Sequence, residues 1–520
     1  MQSGKFKEYS QYFLVVIALI LGVLIVLGQA NPLTTRLERD SGIFIYVSSF
    51  LLEGKTLYTT AWENKPPGIF FIDAVGLALG GGTRWGIWCM EFIFLFGSAL
   101  AGFVALKKRF GPVPATVASF IWLSGLSLIL SGGNFTEEYS LLFGFLALLL
   151  FTFMPVRTTA LWINFSLGLL CGASFLMRPN NVGVQVSIIL TLVVIRLINR
   201  EQKSIPKPLI VIALGFLLPI AGVALYFLSQ SAFQLLIEAS FIYNLYYTNG
   251  RIQPLGTFIS GIRNLGFAAG IALVGVWIAL EHLWSQFKDR KIDLIILWIC
   301  IDFFIEIILS ALSGRNYEHY FINWLPWLSF TCAYLVDQVL SSFSQWSRRS
   351  PFILYIASIV AIAATNLEGL NVYLQNFTRL ATDRSQVQKQ ELIPEYVNAN
   401  TLPDETVLVW GGQAGINFLA DRASPSPYLL YPLYVPSEFT DRISLEYFQA
   451  LQANPPELIV DGSFYVPEEL VPLSAPNPAR WISDKQAYFT PYLNDFFDFF
   501  RENYSYETTV GGVGIYRLNR

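Results

Sequence analysis

Three observations predict a polytopic α-helical membrane protein with a small extracytoplasmic α/β domain at its C-terminal end. Of the 520 residues, 54% are hydrophobic and only 14% charged, whereas soluble proteins carry about 25% charged residues. Mean hydropathy is +0.49. Long apolar runs recur as far as Leu367, after which the chain turns polar and changes rhythm. The predicted division is a transmembrane part at residues 1–368 and a soluble part at 369–520.

The first run, Tyr12 to Gly28, follows Lys5 and Lys7, so its amino end should stay in the cytoplasm. It is long for a signal-peptide core and is followed by many more spans, which favours an uncleaved anchor. Runs long enough to cross a bilayer fall at 11–30, 86–106, 113–131, 139–155, 160–177, 180–199, 208–228, 257–280, 292–312, 320–340 and 351–368. About eleven spans are therefore expected. Pro66 to Leu79 is short, opens on two prolines and ends in three glycines, so it reads as a re-entrant or juxtamembrane helix.

Loop charge supports that reading. With Pro66 to Leu79 not crossing, Lys107-Lys108-Arg109, Arg196 to Lys207, Lys288 to Lys291 and Arg348-Arg349 all fall on the cytoplasmic side. An odd number of spans then puts the tail outside, as expected of a protein of the plasma (inner) membrane. Cys89, Cys171, Cys300 and Cys332 all lie in apolar runs, where cysteine packs as a small hydrophobe, and no disulfide is expected.

The tail should be a small α/β domain. Helices are predicted over Gln386 to Val397, Gly415 to Ala420 and Asn494 to Asn503, and strands over Thr406 to Trp410, Leu458 to Val460 and Gly514 to Leu518. Ser424 to Pro436 and Val466 to Pro478 are proline-rich loops that could lie against the membrane part.

The external loops hold the chemistry. Arg39 and Asp40 lie about ten residues past the first helix, in LERDSGIFIY, before an apolar helix at Ile43 to Leu52. A carboxylate there suits a general base facing a cavity, or a local ion pair with its arginines. Lys65 precedes Pro66-Pro67, whose locked backbone would hold its ammonium ready for a phosphate, or simply anchor it at the interface. Glu137 and Glu138 in GGNFTEEY start a helix, where the dipole alone favours acids. Arg178 in MRPNN, and Arg315 with His319 in GRNYEHYF, could bind an anion; Arg315 could equally pair with Glu318 or a lipid headgroup. The aromatic loop Ser229 to Gln253 carries Tyr243, Tyr246 and Tyr247, which suit interface anchoring or sugar stacking.

Several classes are set aside. With two histidines and no HExxH, the usual zinc hydrolase is excluded, and without a Walker A sequence so is an ATP-driven pump. Trp410 to Gly415 lacks GxGxxG and reads as a structural turn. No nucleic-acid partner is expected. A transporter or lipid flippase is the alternative reading, resting on Asp302 and Glu306 within one apolar run.

RDSGIFIY, ENKPPGIFFI, NFTEEY, MRPNN, GRNYEHYF and VLVWGGQAGINFLADR together resemble the GT-C glycosyltransferases of the protein O-mannosyltransferase and aminoarabinose-transferase-like group. The resemblance implies transfer of a sugar from a polyprenyl-phosphate donor to an extracytoplasmic acceptor in the cell envelope, among membrane lipids and with no nucleotide sugar at that step. By motif, Asp40 becomes the general base, while Lys65, Arg178 and Arg315, with Arg39 and His319 beside them, become the phosphate-binding set. Many protein O-mannosyltransferases carry Asp-Glu at the first-loop site; here Asp40 precedes Ser41, leaving Glu137 or Glu138 to supply a second acid. No cofactor is firmly implied, although an external carboxylate pair leaves room for a weakly held divalent cation.

Overall fold

The computed structural model describes residues 2–154, 160–248, 252–289, 291–344, 371–372, 374–376, 378, 385–429, 431, 436–485 and 488–520. The chain forms two compact units, one of Met1–Asn31, Trp88–Ala224 and Gly250–Thr382, the other of Pro32–Ile87, Leu225–Asn249 and Asp383–Arg520.

The first unit is helical. Among the described residues of the whole chain, seven helices are long and apolar enough to cross a membrane: Arg84–Phe110, Pro112–Ile129, Thr136–Phe153, Pro179–Ile198, Gln202–Ser229, Ala268–Lys288 and Leu294–Ala311. Phe13–Gln29 and Leu161–Met177 are shorter apolar helices, and the predicted run at 320–340 forms the helix Leu325–Ser344, which ends in polar Ser-Ser-Phe-Ser. The run at 351–368 lies outside the described residues. Ten of the eleven predicted runs thus coincide with helices, while seven meet the length and apolarity of a span.

Its core is built around Trp122, Trp298, Phe321, Leu325 and Phe330, all buried. Elsewhere small residues let helix backbones meet: Gly168 and Gly172 of Leu161–Met177 sit against Ile212 and Phe216, and Gly215 sits against Phe165. That is how helices pack where lipid offers no hydrophobic drive between them.

The second unit combines three stretches of chain. Its sheet has strand order β1-β2-β4-β3, where β1 is Val407–Trp410, β2 Leu458–Asp461, β3 Tyr504–Val510 and β4 Val513–Leu518. β1 and β2 are parallel; β4 runs antiparallel to both β2 and β3. Trp410 stacks on Phe496 at 4.5 Å between ring centroids and anchors one side of the sheet.

The predicted tail elements appear as Ser385–Asn400, Gly415–Ala420, Leu493–Asn503, β1, β2 and β4. Sequence periodicity missed β3 and the helices Glu438–Ala453 and Pro478–Asp484. The turn at Gly411 and Gly412 has φ of 92° and 78°. A side chain at Gly411 would collide with Leu470, which supports a structural role for this turn.

Two local expectations are corrected. Asp40 is not in a loop: the helix Arg39–Leu52 begins before it and places it in the first turn. The aromatic loop is largely helical, as Phe233–Ile237, a π-turn at Glu238–Ile242, and Tyr243–Thr248. Its backbone bonds are made locally, leaving its side chains to pack within the second unit. Gly68–Leu79 is a helix of 12 residues, about 18 Å long, too short to cross the roughly 30 Å hydrocarbon layer.

Candidate active site

Arg39, Asp40 and Lys65 belong to the second unit, and Glu137, Glu138, Arg178, Arg315 and His319 to the first.

In the second unit, Glu38 is extended at φ −72°, ψ 162°, and its carbonyl accepts the Gly42 N–H at 2.8 Å, which starts the helix. A carboxylate in this first turn faces the positive end of the helix dipole. Arg39 Nη1 lies 3.7 Å from Glu469 of the tail, and Arg36 pairs with Glu38 at 3.0 Å. Lys65 Nζ lies 5.8 Å from the ring of Phe44, one turn beyond Asp40 on the same helix face.

The Lys65 ammonium donates to Glu63 at 3.2 Å and to Asn64 Oδ1 at 3.1 Å. Its backbone is held as firmly. The buried Tyr58 hydroxyl donates to the Lys65 carbonyl at 2.7 Å. One residue earlier, Asn244 Nδ2 donates to the Asn64 carbonyl at 2.7 Å, and Asn64 Nδ2 returns a bond to Asn244 Oδ1 at 3.2 Å. Burial pushes the Tyr58 hydroxyl pKa upward, so it stays a donor. Sequence reasoning missed Tyr58 and Asn244; the lone amide in FIYNLYY was the available signal.

In the first unit three predicted motifs meet. Arg178 Nη1 is ion-paired with the buried Glu137, and its guanidinium lies 3.9 Å over the Tyr320 ring. Thr136 Oγ1 adds a bond to Glu137 at 2.8 Å. Burial works against the Arg178 charge, but Tyr320 and Glu137 outweigh it and raise the pKa. His319 stacks on Phe135 with centroids 4.3 Å apart and planes at 4°. Arg315 sits at the turn that Ser313 closes, its N–H donating to Ser313 Oγ at 3.2 Å.

The Gly-Gly-Asn-Phe loop turns through left-handed φ at Gly132 (94°), Gly133 (77°) and Asn134 (61°). Acids hold it. Glu91, 2% exposed, accepts the Asn134 N–H at 2.6 Å, and Glu138 accepts the Phe135 N–H at 3.4 Å. Glu138 Oε1 has no hydrogen-bond partner among the described residues. Sequence reading passed over Glu91, though a lone acid within an apolar run was the clue.

Asp302 and Glu306, on which the transporter reading rested, are buried at 0% and 2% exposure. Asp302 accepts from Ser187 Oγ, to which Trp298 Nε1 also donates at 2.9 Å. Glu306 packs against Gly183, where a Cβ would collide with its carboxylate. Among the described residues, no group of three or more His, Cys, Asp or Glu could hold a metal ion.

Residues 64–226 match the family model described as dolichyl-phosphate-mannose-protein mannosyltransferase. No curated protein matches the chain. Among solved structures, ArnT from Cupriavidus metallidurans bound to undecaprenyl phosphate is 12% identical, with a TM-score of 0.61 over 98% of each chain. The same enzyme in the apo state is 11% identical at a TM-score of 0.57, again over 98% of each chain. The Archaeoglobus fulgidus oligosaccharyltransferase tethered with an acceptor peptide is 13% identical, with a TM-score of 0.53 over 88% of this chain and 70% of that one. The chain thus shares the fold of these solved structures along most of its length, and within it residues 64–226 match the mannosyltransferase family model.

Proposed function

We propose that this protein is a glycosyltransferase that moves a sugar from a polyprenyl-phosphate carrier to a hydroxyl acceptor on the extracytoplasmic face, with Asp40 as general base. The observation that carries the proposal is the placement of opposite charges beside one helix: a carboxylate in the first turn of Arg39–Leu52, and the Lys65 ammonium 5.8 Å from the ring of Phe44 one turn later. The ArnT structure that holds undecaprenyl phosphate supports the choice of carrier.

In this reaction the acceptor oxygen attacks the anomeric carbon as its proton passes to Asp40. The bond from that carbon to the phosphate oxygen breaks, and polyprenyl phosphate leaves with the electron pair and one more negative charge. By the motif resemblance alone, Lys65, Arg178 and Arg315 are the cations assigned to that phosphate, with Arg39 and His319 in support. Arg178 keeps guanidinium donors beyond the one given to Glu137, since the group has five. Attack opposite the leaving group inverts the anomeric centre. One base and a cationic clamp suffice, unlike the paired carboxylates of a retaining glycosidase.

The test is transfer from a polyprenyl-phosphate sugar by purified protein in nanodiscs, with carrier binding measured in parallel. Asp40→Asn should lower kcat about 100-fold or more, the range of general base catalysis, with carrier affinity nearly unchanged. Lys65→Ala and Arg315→Ala should weaken carrier binding. Normal turnover by Asp40→Asn would overturn the assignment of the base.

A further inference from the structure

In the first unit a cavity of about 320 Å³ is lined by Val15 and Val16 of Gln2–Val26 and by Leu100, Phe103, Val104, Lys107 and Lys108 of Arg84–Phe110. We propose that this groove is a binding site for one anionic glycerophospholipid, its phosphate at Lys107 and Lys108 and an acyl chain along the apolar wall.

Spacing defines the surface of the groove. Positions 100, 103, 104, 107 and 108 are separated by three and four residues, so they form one stripe on the helix. The stripe is apolar for its first three members and cationic for its last two. From Leu100 to Lys108 it rises about 12 Å at 1.5 Å per residue, close to the roughly 15 Å that is half the hydrocarbon layer. A molecule that fills it must be apolar along most of that length and anionic at one end. A lipid of a single leaflet has this shape.

Charge complementarity selects the headgroup. Three basic residues end the helix. Arg109 is balanced by Asp293 at 2.5 Å, whereas Lys108 has no acidic partner among the described residues and lies over the ring of Phe153. Basic residues at a helix end help to orient a membrane protein, but orientation does not require an apolar groove that runs into them. Basic pockets between membrane helices are where phospholipid headgroups are held. The Val15 and Val16 wall adds a second helix, so an acyl chain here would touch protein on two sides.

The experiment is native mass spectrometry of the full-length protein from nanodiscs of mixed phosphatidylglycerol and phosphatidylcholine, stripped stepwise with detergent. Wild type should retain one phosphatidylglycerol after phosphatidylcholine is lost. Lys107→Gln/Lys108→Gln should lower that retention at least fivefold. Val104→Trp, which fills the groove and leaves every lysine in place, should lower it as much. Equal retention by Val104→Trp would mean charge attraction without a groove and would overturn the proposal. So would equal retention of both lipids by wild type, or displacement of phosphatidylglycerol by stoichiometric undecaprenyl phosphate. Unfolding temperatures of both variants in phosphatidylcholine alone separate loss of the site from loss of the fold.

Discussion

Arg178 and Glu137, 41 positions apart in sequence, form an ion pair in which the carboxylate is almost wholly buried and the guanidinium is covered by Tyr320. The pair ties MRPNN to NFTEEY, and Tyr320 brings in GRNYEHYF. Motifs that are individually loose in sequence thus become one constellation within the first unit.

Removing one partner should leave a buried charge without its counter-ion, which costs about 3–5 kcal/mol. Glu137→Gln and Arg178→Gln should therefore each lower the unfolding midpoint strongly. The double variant Glu137→Gln/Arg178→Gln should lose less than the sum of the two, because neither charge is then stranded. Thermal unfolding of the four proteins measures the coupling. Strict additivity would show that the two side chains do not interact.

The Asn244 amide holds the backbone that presents Lys65, through its 2.7 Å bond to the Asn64 carbonyl. Losing one such bond is worth about 1 kcal/mol, or about fivefold. If Lys65 binds the carrier phosphate, Asn244→Ala should raise KM for the carrier sugar by about that factor while kcat changes little. Steady-state kinetics decide: an equal fall in kcat at constant KM would place the effect in the chemical step instead.

Much of the fold was legible in the sequence because membrane helices announce themselves by unbroken apolar length, and ten of the predicted runs became helices. Span number was harder to read, since Leu161–Met177 has 17 residues and hydropathy alone does not settle whether such a helix crosses. Candidate residues were legible as charged groups within or beside apolar runs. Their partners were not. Arg39 faces Glu469 and Glu238 faces Arg442, contacts between segments hundreds of residues apart that no local period encodes. Asp40 was misplaced for a local reason: Arg-Asp-Ser-Gly resembles a turn, yet an acid is equally at home in a helix's first turn.

Glu238 and Arg442 make stability depend on pH in a definite direction. The Arg442 hydrogen bond, opposed by partial burial, lowers the Glu238 pKa from its ordinary 4.5. A depressed acid contributes its stability above the unfolded value and loses it as pH falls through the folded one. Because Arg442 is 47% exposed, the pair is worth only about 0.5 kcal/mol. The stability gap between wild type and Glu238→Gln should therefore be present at pH 7 and shrink below about pH 4.5. Chemical denaturation at pH 7 and at low pH measures it; a gap that does not change would assign it to packing rather than charge.

Gly42 offers a test in which two effects have opposite signs. It lies inside Arg39–Leu52, where replacing glycine by alanine ordinarily stabilises a helix by about 1 kcal/mol. Here the added Cβ would stand 2.9 Å from the Cα and 3.0 Å from the N of Gly415. Those are backbone atoms of the helix Gly415–Ala420, which cannot step aside as a flexible side chain would. Overpacking of this kind costs about 1–3 kcal/mol, so the clash should win and Gly42→Ala should be destabilised by roughly 1 kcal/mol. The helix must also shift to relieve the contact, and Asp40 rides on it half a turn away. If Asp40 is the base, kcat should fall more than the small loss of stability would explain, with carrier KM little changed. Unfolding and kinetics on the same preparation separate the two effects. A more stable Gly42→Ala protein would mean that propensity prevails and that the two glycines do not meet this closely in solution.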